Sequence, residues 1–106
     1  AVTDLTPLAG LTKLSYLDVD RNAVSDISPL SGLVNLRTLD LRETQVSDLT
    51  PLSGMARLYR LNLSGTPVSD LRPLAGLPEL RNLDLRDARR ADVIPLLRNP
   101  ELDIKQ

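Results

Sequence analysis

Cysteine and histidine are both absent from this chain of 106 residues, as are phenylalanine and tryptophan. Without cysteine there is neither a disulfide framework nor a thiolate metal site. Without histidine the chain lacks the commonest general base, the usual zinc ligand and any conventional Ser-His or Cys-His nucleophile. Aromatic residues make up 2% of the chain, both of them tyrosines, against 42% apolar residues. The interior must therefore be built from aliphatic side chains of similar volume. No apolar run approaches the roughly 18 residues of a membrane-spanning helix, so no membrane insertion is expected. Nor does the chain open on a charged-then-apolar leader. Thirteen basic and 14 acidic residues leave a net charge of −1. That balance supplies no long-range field for a polyanion, and nucleic-acid binding is not expected. The length allows one domain.

What is present is a period. Val2-Thr3-Asp4-Leu5-x-Pro7-Leu8 recurs as Val24-Ser25-Asp26-Ile27-x-Pro29-Leu30, Val46-Ser47-Asp48-Leu49-x-Pro51-Leu52 and Val68-Ser69-Asp70-Leu71-x-Pro73-Leu74, at a constant spacing of 22 residues. A second phrase, Gly-Leu-x-x-Leu-x-x-Leu-x-Leu, follows from Gly10 to Val19, Gly32 to Leu41 and Gly76 to Leu85, with Met55 taking the first leucine position of the third unit. A fixed period of this size signals a stacked solenoid, an architecture suited to binding rather than catalysis.

The two phrases resemble the leucine-rich repeat family, in the 22-residue bacterial class of the internalins and a related class found in a eukaryotic phosphatase regulator. The resemblance covers nearly the whole chain and implies an α/β solenoid. Its expected form is a leucine-rich repeat arc with a concave parallel β-sheet of about five short strands and short 3₁₀ or helical segments on the convex side. The units fall at about 2–23, 24–45, 46–67 and 68–89, followed by a degenerate terminal unit at 90–106, within one leucine-rich repeat domain. The family also places a side chain after each strand to satisfy loop backbone groups, here Asn22, Thr44, Thr66 and Ala88; alanine cannot do so, and the fourth turn is expected to be less well tied. A bacterial surface location and a cytoplasmic one both remain open.

Within a unit, the closing Leu-x-Leu has the period-2 pattern of a strand with one buried face. Strands are predicted near Tyr16 to Asp20, Thr38 to Arg42, Arg60 to Ser64 and Asn82 to Arg86. The pairs Thr6-Pro7, Ser28-Pro29 and Thr50-Pro51 set a capping hydroxyl beside a proline that starts a helical turn, and Gly10, Gly32, Gly54 and Gly76 stand where a left-handed exit is expected. Asp4, Asp26, Asp48, Asp70 and Asp92 sit at the bend before that turn, read as backbone acceptors rather than a calcium array. In the terminal unit Arg90, Ile94 and Arg98 replace the valine, the hydroxyl and the glycine. After the Asn99-Pro100 turn, Leu102-x-Ile104 is expected to follow Leu83-x-Leu85 at a distance of 19 residues, three short of the period. At the other end Ala1-Val2 enters in mid-turn, so a preceding segment is expected in a parent protein.

Comparing units with one another separates scaffold from surface. Four outward columns vary: Tyr16, Thr38, Arg60, Asn82; Asp18, Asp40, Asn62, Asp84, with Asp103 as the expected fifth member; Asp20, Arg42, Ser64, Arg86; and Arg21, Glu43, Gly65, Asp87. They alternate with buried leucines and must project from the concave sheet. The candidate partner-binding set is therefore Tyr16, Asp18, Asp20, Arg21, Thr38, Asp40, Arg42, Glu43, Arg60, Asn62, Asn82, Asp84 and Arg86. Tyr16 and Arg60 belong to the types that dominate interface energies. The aspartate column stacks like charges, which Arg42, Arg60 and Arg86 can offset.

Asn62-Leu63-Ser64 matches a glycosylation sequon but lies on a central strand, and Ser64-Gly65-Thr66-Pro67 lacks the lysine of a phosphate loop. Arg89-Arg90 is read as a solvated face or a domain junction. No catalytic residue, metal site or cofactor is expected, and the chain is not expected to be an enzyme: its paired carboxylates lie on an open sheet with nothing to separate their pKa values. Two readings of function remain. One is a protein-protein interaction module that takes a protein or peptide on its concave sheet. The other is a structural spacer or regulatory repeat segment that packs on an adjacent domain of the parent chain.

Overall fold

The computed structural model describes residues 4–88 and 99–106. Its layers follow directly from the spacing of the apolar residues. In the second unit Val24, Ile27, Leu30, Leu33, Leu36, Leu39 and Leu41 all turn inward and are fully buried, and the third unit repeats the set with Val46, Leu49, Leu52, Met55, Leu58, Leu61 and Leu63. Each turn of the coil thus delivers one aliphatic layer to a continuous core. The first layer is more open: Leu8, Leu14 and Leu17 are only partly covered, and Leu11 is exposed.

Five strands form one parallel sheet in chain order: β1 Tyr16–Asp18, β2 Thr38–Asp40, β3 Arg60–Asn62, β4 Asn82–Asp84 and β5 Asp103–Lys105. The predicted starts are met. The formal strands end two residues earlier than predicted, yet the pairing continues: Val19 and Arg21 donate to the carbonyls of Asp40 and Arg42, and Leu41 and Glu43 to those of Asn62 and Ser64. The chain then leaves the sheet through a left-handed residue, with φ of 58° at Arg21, 55° at Glu43, 70° at Gly65 and 62° at Asp87.

That column corrects one expectation. Gly65 is the glycine at positive φ among the described residues; Gly10, Gly32, Gly54 and Gly76 are not left-handed, and a Cβ at any of them would meet nothing within 4 Å.

The convex side carries 3₁₀ turns at Thr6–Leu8, Ser28–Leu30, Thr50–Leu52 and Arg72–Leu74. The hydroxyl residue is the first residue of its turn rather than its cap, and the residue before it makes no side-chain capping bond. The cap comes from the aspartate one step further back. Asp4, Asp26, Asp48 and Asp70 each accept the backbone N–H two residues on, at 2.9, 2.9, 2.9 and 3.0 Å. The expected fifth member, Asp92, lies outside the described residues, as do Arg89, Arg90, Ile94, Arg98 and the entry at Ala1-Val2.

The side chains after the strands do what the resemblance implies. The Thr44 and Thr66 hydroxyls donate to the carbonyls of Leu41 and Leu63 at 2.7 and 2.6 Å, and Asn22 donates to those of Val19 and Asp20. At Ala88 only the backbone N–H remains to bond the Leu85 carbonyl.

The terminal strand requires a second correction. Ile104 pairs with Leu83 and Lys105 with Asp84, so the last unit is one residue shorter than the period rather than three. The amide of Asp103 bonds the Arg81 carbonyl, and Asn99 reaches the Leu80 carbonyl at 3.1 Å, which together hold this register. Asp103 consequently stands beside Asn82 in the first outward column, and Lys105 takes the place expected for it beside Asp84.

Truncating Leu39 to alanine should cost about 2–5 kcal/mol, as for other buried leucines, whereas Arg60→Ala on the outward face should stay within about 0.5 kcal/mol; urea melts of the two variants check the register. Acid titration tests the caps. Hydrogen bonds from Arg72 hold the Asp70 carboxyl down at about 2, and the Thr6, Ser28 and Thr50 groups lower Asp4, Asp26 and Asp48. A folded pKa below the unfolded value of about 3.9 gives stability that is complete above that value and lost as pH falls through the folded pKa. In carboxyl-resolved NMR, Asp70 should titrate last of the four, and Arg72→Ala should raise its midpoint toward that of Asp48.

Candidate functional site

The concave sheet presents a shallow depression of about 300 Å³, lined by Tyr16, Thr38, Asp40, Arg60, Asn62, Asn82, Asp84, Asp103 and Lys105 over a floor of Leu39, Leu61 and Leu83. Of the predicted residues, Tyr16, Thr38, Asp40, Arg60, Asn62, Asn82 and Asp84 meet there. Asp18 stands beside Asp40 on the edge strand. Asp20, Arg21, Arg42, Glu43 and Arg86 lie further along, where the strands give way to the turns. Asp103 and Lys105 were not in the predicted set. Only the Leu102-x-Ile104 alternation pointed to a fifth strand, and its register decides which of its side chains join the site.

Parallel pairing explains why the first four residues of the middle column are three aspartates and an asparagine. Alternate amides of each strand exit bond the next turn, and the intervening amide is taken by the side chain two residues back. Asp18 accepts from Asp20, Asp40 from Arg42, Asn62 from Ser64 and Asp84 from Arg86, at 2.9–3.1 Å. An oxygen acceptor on a short stem is what this position needs, and a neutral amide serves as well as a carboxylate.

The charges are unevenly distributed along the arc. At the first turn Asp18, Asp20 and Asp40 lie close together beside Tyr16, whose residue surface is 60% exposed. The Asp20 backbone amide lowers the pKa of Asp18. Asp20 moves the other way, because it shares a side-chain hydrogen bond with Asp18 and is repelled by the charges of Asp18 and Asp40. At the fourth turn Asp84 is held low by its forked pair with Arg86, 2.7 Å at the shortest, with a smaller contribution from Lys105. Arg21 bridges to Glu43 across neighbouring turns at 3.2 Å. Of the three arginines expected to offset the acidic column, Arg86 does so by direct contact; among the described residues Arg42 and Arg60 form no ion pair.

The family described as Leucine Rich repeats (2 copies) matches residues 21–54 and 34–76, which together span more than half of the chain. No curated protein matches. Among solved structures, internalin C2 from Listeria monocytogenes superimposes with a TM-score of 0.92 at 44% identity over 96% of this chain. Internalin InlF from the same organism gives 0.91 at 34% identity over 97%. The functional domain of Listeria InlJ, 18% identical with a TM-score of 0.51 over 91% of this chain and 30% of that one, shares the fold. This chain spans 46% of the internalin C2 structure and 31% of the InlF structure.

Because the column acts through an acceptor, Asp40→Asn should leave stability unchanged while Asp40→Ala should lose about 1 kcal/mol, the net value of one hydrogen bond. Paired denaturant melts separate the two outcomes.

Proposed function

This chain belongs to the leucine-rich repeat family, and on that premise we propose that its concave sheet recognises a folded protein or a peptide. The internalin-like fold supports a protein-interaction module in general; the choice of face is our own reading. The observation that carries it is the contrast between scaffold and outward columns on one sheet. Inward positions repeat leucine almost without change, whereas the column Tyr16, Thr38, Arg60, Asn82, Asp103 changes at every turn and lines one depression.

Tyr16 and Arg60 are the expected anchors, since a large amphipathic ring and a free guanidinium gain most when a partner removes them from water. The depression runs along the open face of the sheet across all five strands and suits an extended contact surface. Asp40, Asp84 and Asn62 contribute orientation, because their side chains are already fixed by the backbone amides they accept.

The test is affinity capture from an extract of the source organism and from its surface fraction. The wild-type chain is compared with Tyr16→Ala/Arg60→Glu, which leaves every strand-exit hydrogen bond in place, and with Ser53→Arg on the convex side. A protein held by the wild type and Ser53→Arg but released by the double variant is the expected result. Equal retention by all three would overturn the concave face as the binding surface and favour packing on an adjacent domain.

A further inference from the structure

The flank that leads into the strands carries a second hollow, about 490 Å³, lined by Arg37, Ala56, Arg57, Tyr59 and Glu79. It is an open surface hollow, and all five of its lining residues are exposed. Repeat symmetry supplies an internal control for its side chains. Arg81 occupies the same repeat position as Arg37 and Tyr59, two turns and one turn further on, and its guanidinium is consumed by the carbonyls of Pro78 and Leu80 and by Glu101 at 2.8 Å. Asn35 occupies the position of Arg57 one turn earlier and is tied to the Thr12 carbonyl at 2.7 Å. Among the described residues the side chains of Arg37, Arg57 and Tyr59 make no such bond, although their scaffold positions are the same.

The backbone at Arg37 and Tyr59 is tied into the ladder. The Arg37 amide bonds the Ser15 carbonyl, and the Arg37 carbonyl receives the amides of both Tyr59 and Arg60 at 2.8 and 2.9 Å. Two guanidinium groups, a half-exposed phenol ring and one carboxylate thus line one hollow, with Arg37 and Tyr59 on hydrogen-bonded backbone.

We propose that this hollow binds an acidic sugar, a pyranose ring bearing a sulfate or phosphate monoester. The two guanidinium groups match the ester oxygens, to which arginine donates strong charge-assisted bonds. Tyr59 offers an apolar face to the ring carbons, and Glu79 is an acceptor for ring hydroxyls. A bare anion would use the arginines alone and would be repelled by Glu79. This site shares no residue with the concave depression, so it stands or falls independently of the function proposed above.

The test is an NMR titration of the isotopically labelled chain with glucose 6-sulfate and glucose 6-phosphate, beside glucose and inorganic phosphate. Saturable shifts at Tyr59 and its neighbours are expected with the two esters, and the tighter ester identifies a sulfated or a phosphorylated source. Binding should weaken with added salt, as an exposed site requires. Arg37→Gln/Arg57→Gln should weaken it at least about tenfold, Tyr59→Ser should weaken the esters but not inorganic phosphate, and Arg81→Gln should leave affinity unchanged. Absence of shifts at Tyr59, inorganic phosphate binding as tightly as the esters, or an equal loss in Arg81→Gln would each overturn the proposal.

Discussion

Everything in this molecule depends on equal path length per turn. Parallel strands about 4.8 Å apart pair only if each circuit of the coil returns its backbone to the same height and phase. Twenty-two residues achieve this in three successive pairings, with Leu17 beside Leu39, Leu39 beside Leu61 and Leu61 beside Leu83. The apolar layers come into register as a consequence. The terminal unit obeys the same constraint with one residue fewer, and its hydrogen bonds from Asp103 and Leu85 show that the ladder, not residue count, defines the layer.

The second requirement follows from the first. A coil this tight turns sharply twice per circuit, and each bend strands backbone amides that the next turn does not reach. Two aspartate columns deal with them, one before the convex turn and one at the strand exit, each through an acceptor two residues back. The first column is solvent-exposed, so the hydrogen bonds to its carboxylates outweigh their desolvation and their pKa values fall. The second includes Asn62, which shows that the bond and not the charge is the structural demand.

The fold was legible because its signals are periodic and mutually consistent. Leucine spacing, proline placement and the strand starts at Tyr16, Thr38, Arg60 and Asn82 all repeat, so an error at one unit is corrected by the others. Less legible were features that occur once or depend on φ. The left-handed position carries Arg21, Glu43, Gly65 and Asp87, and three side-chain-bearing residues there conceal the backbone geometry that glycine alone would announce. Attention falls instead on Gly10, Gly32, Gly54 and Gly76, whose backbones need no such conformation. In the terminal unit two registers keep Ile104 on the inward face, since a shift of two residues preserves strand alternation, and only the hydrogen bonds choose between them. That choice moved Asp103 across a column and brought Lys105 into the site.

A repeat protein also offers a way to separate structural from functional side chains that a single-copy fold does not. Each position occurs several times on nearly the same backbone, so a residue can be judged against its own equivalents. Arg81 is bonded to carbonyls and Glu101, while Arg37 on the same column is not. Asp84 is locked to Arg86, whereas Asp40, its counterpart two turns earlier, keeps the amide bond without an ion pair. Since the scaffold demand is equal at equivalent positions, the side chains left over after that demand is met are the ones a ligand can use. On the concave sheet these include Tyr16 and Arg60, and on the flank Arg37, Arg57 and Tyr59. Neither group is required by the ladder, and both rest on it.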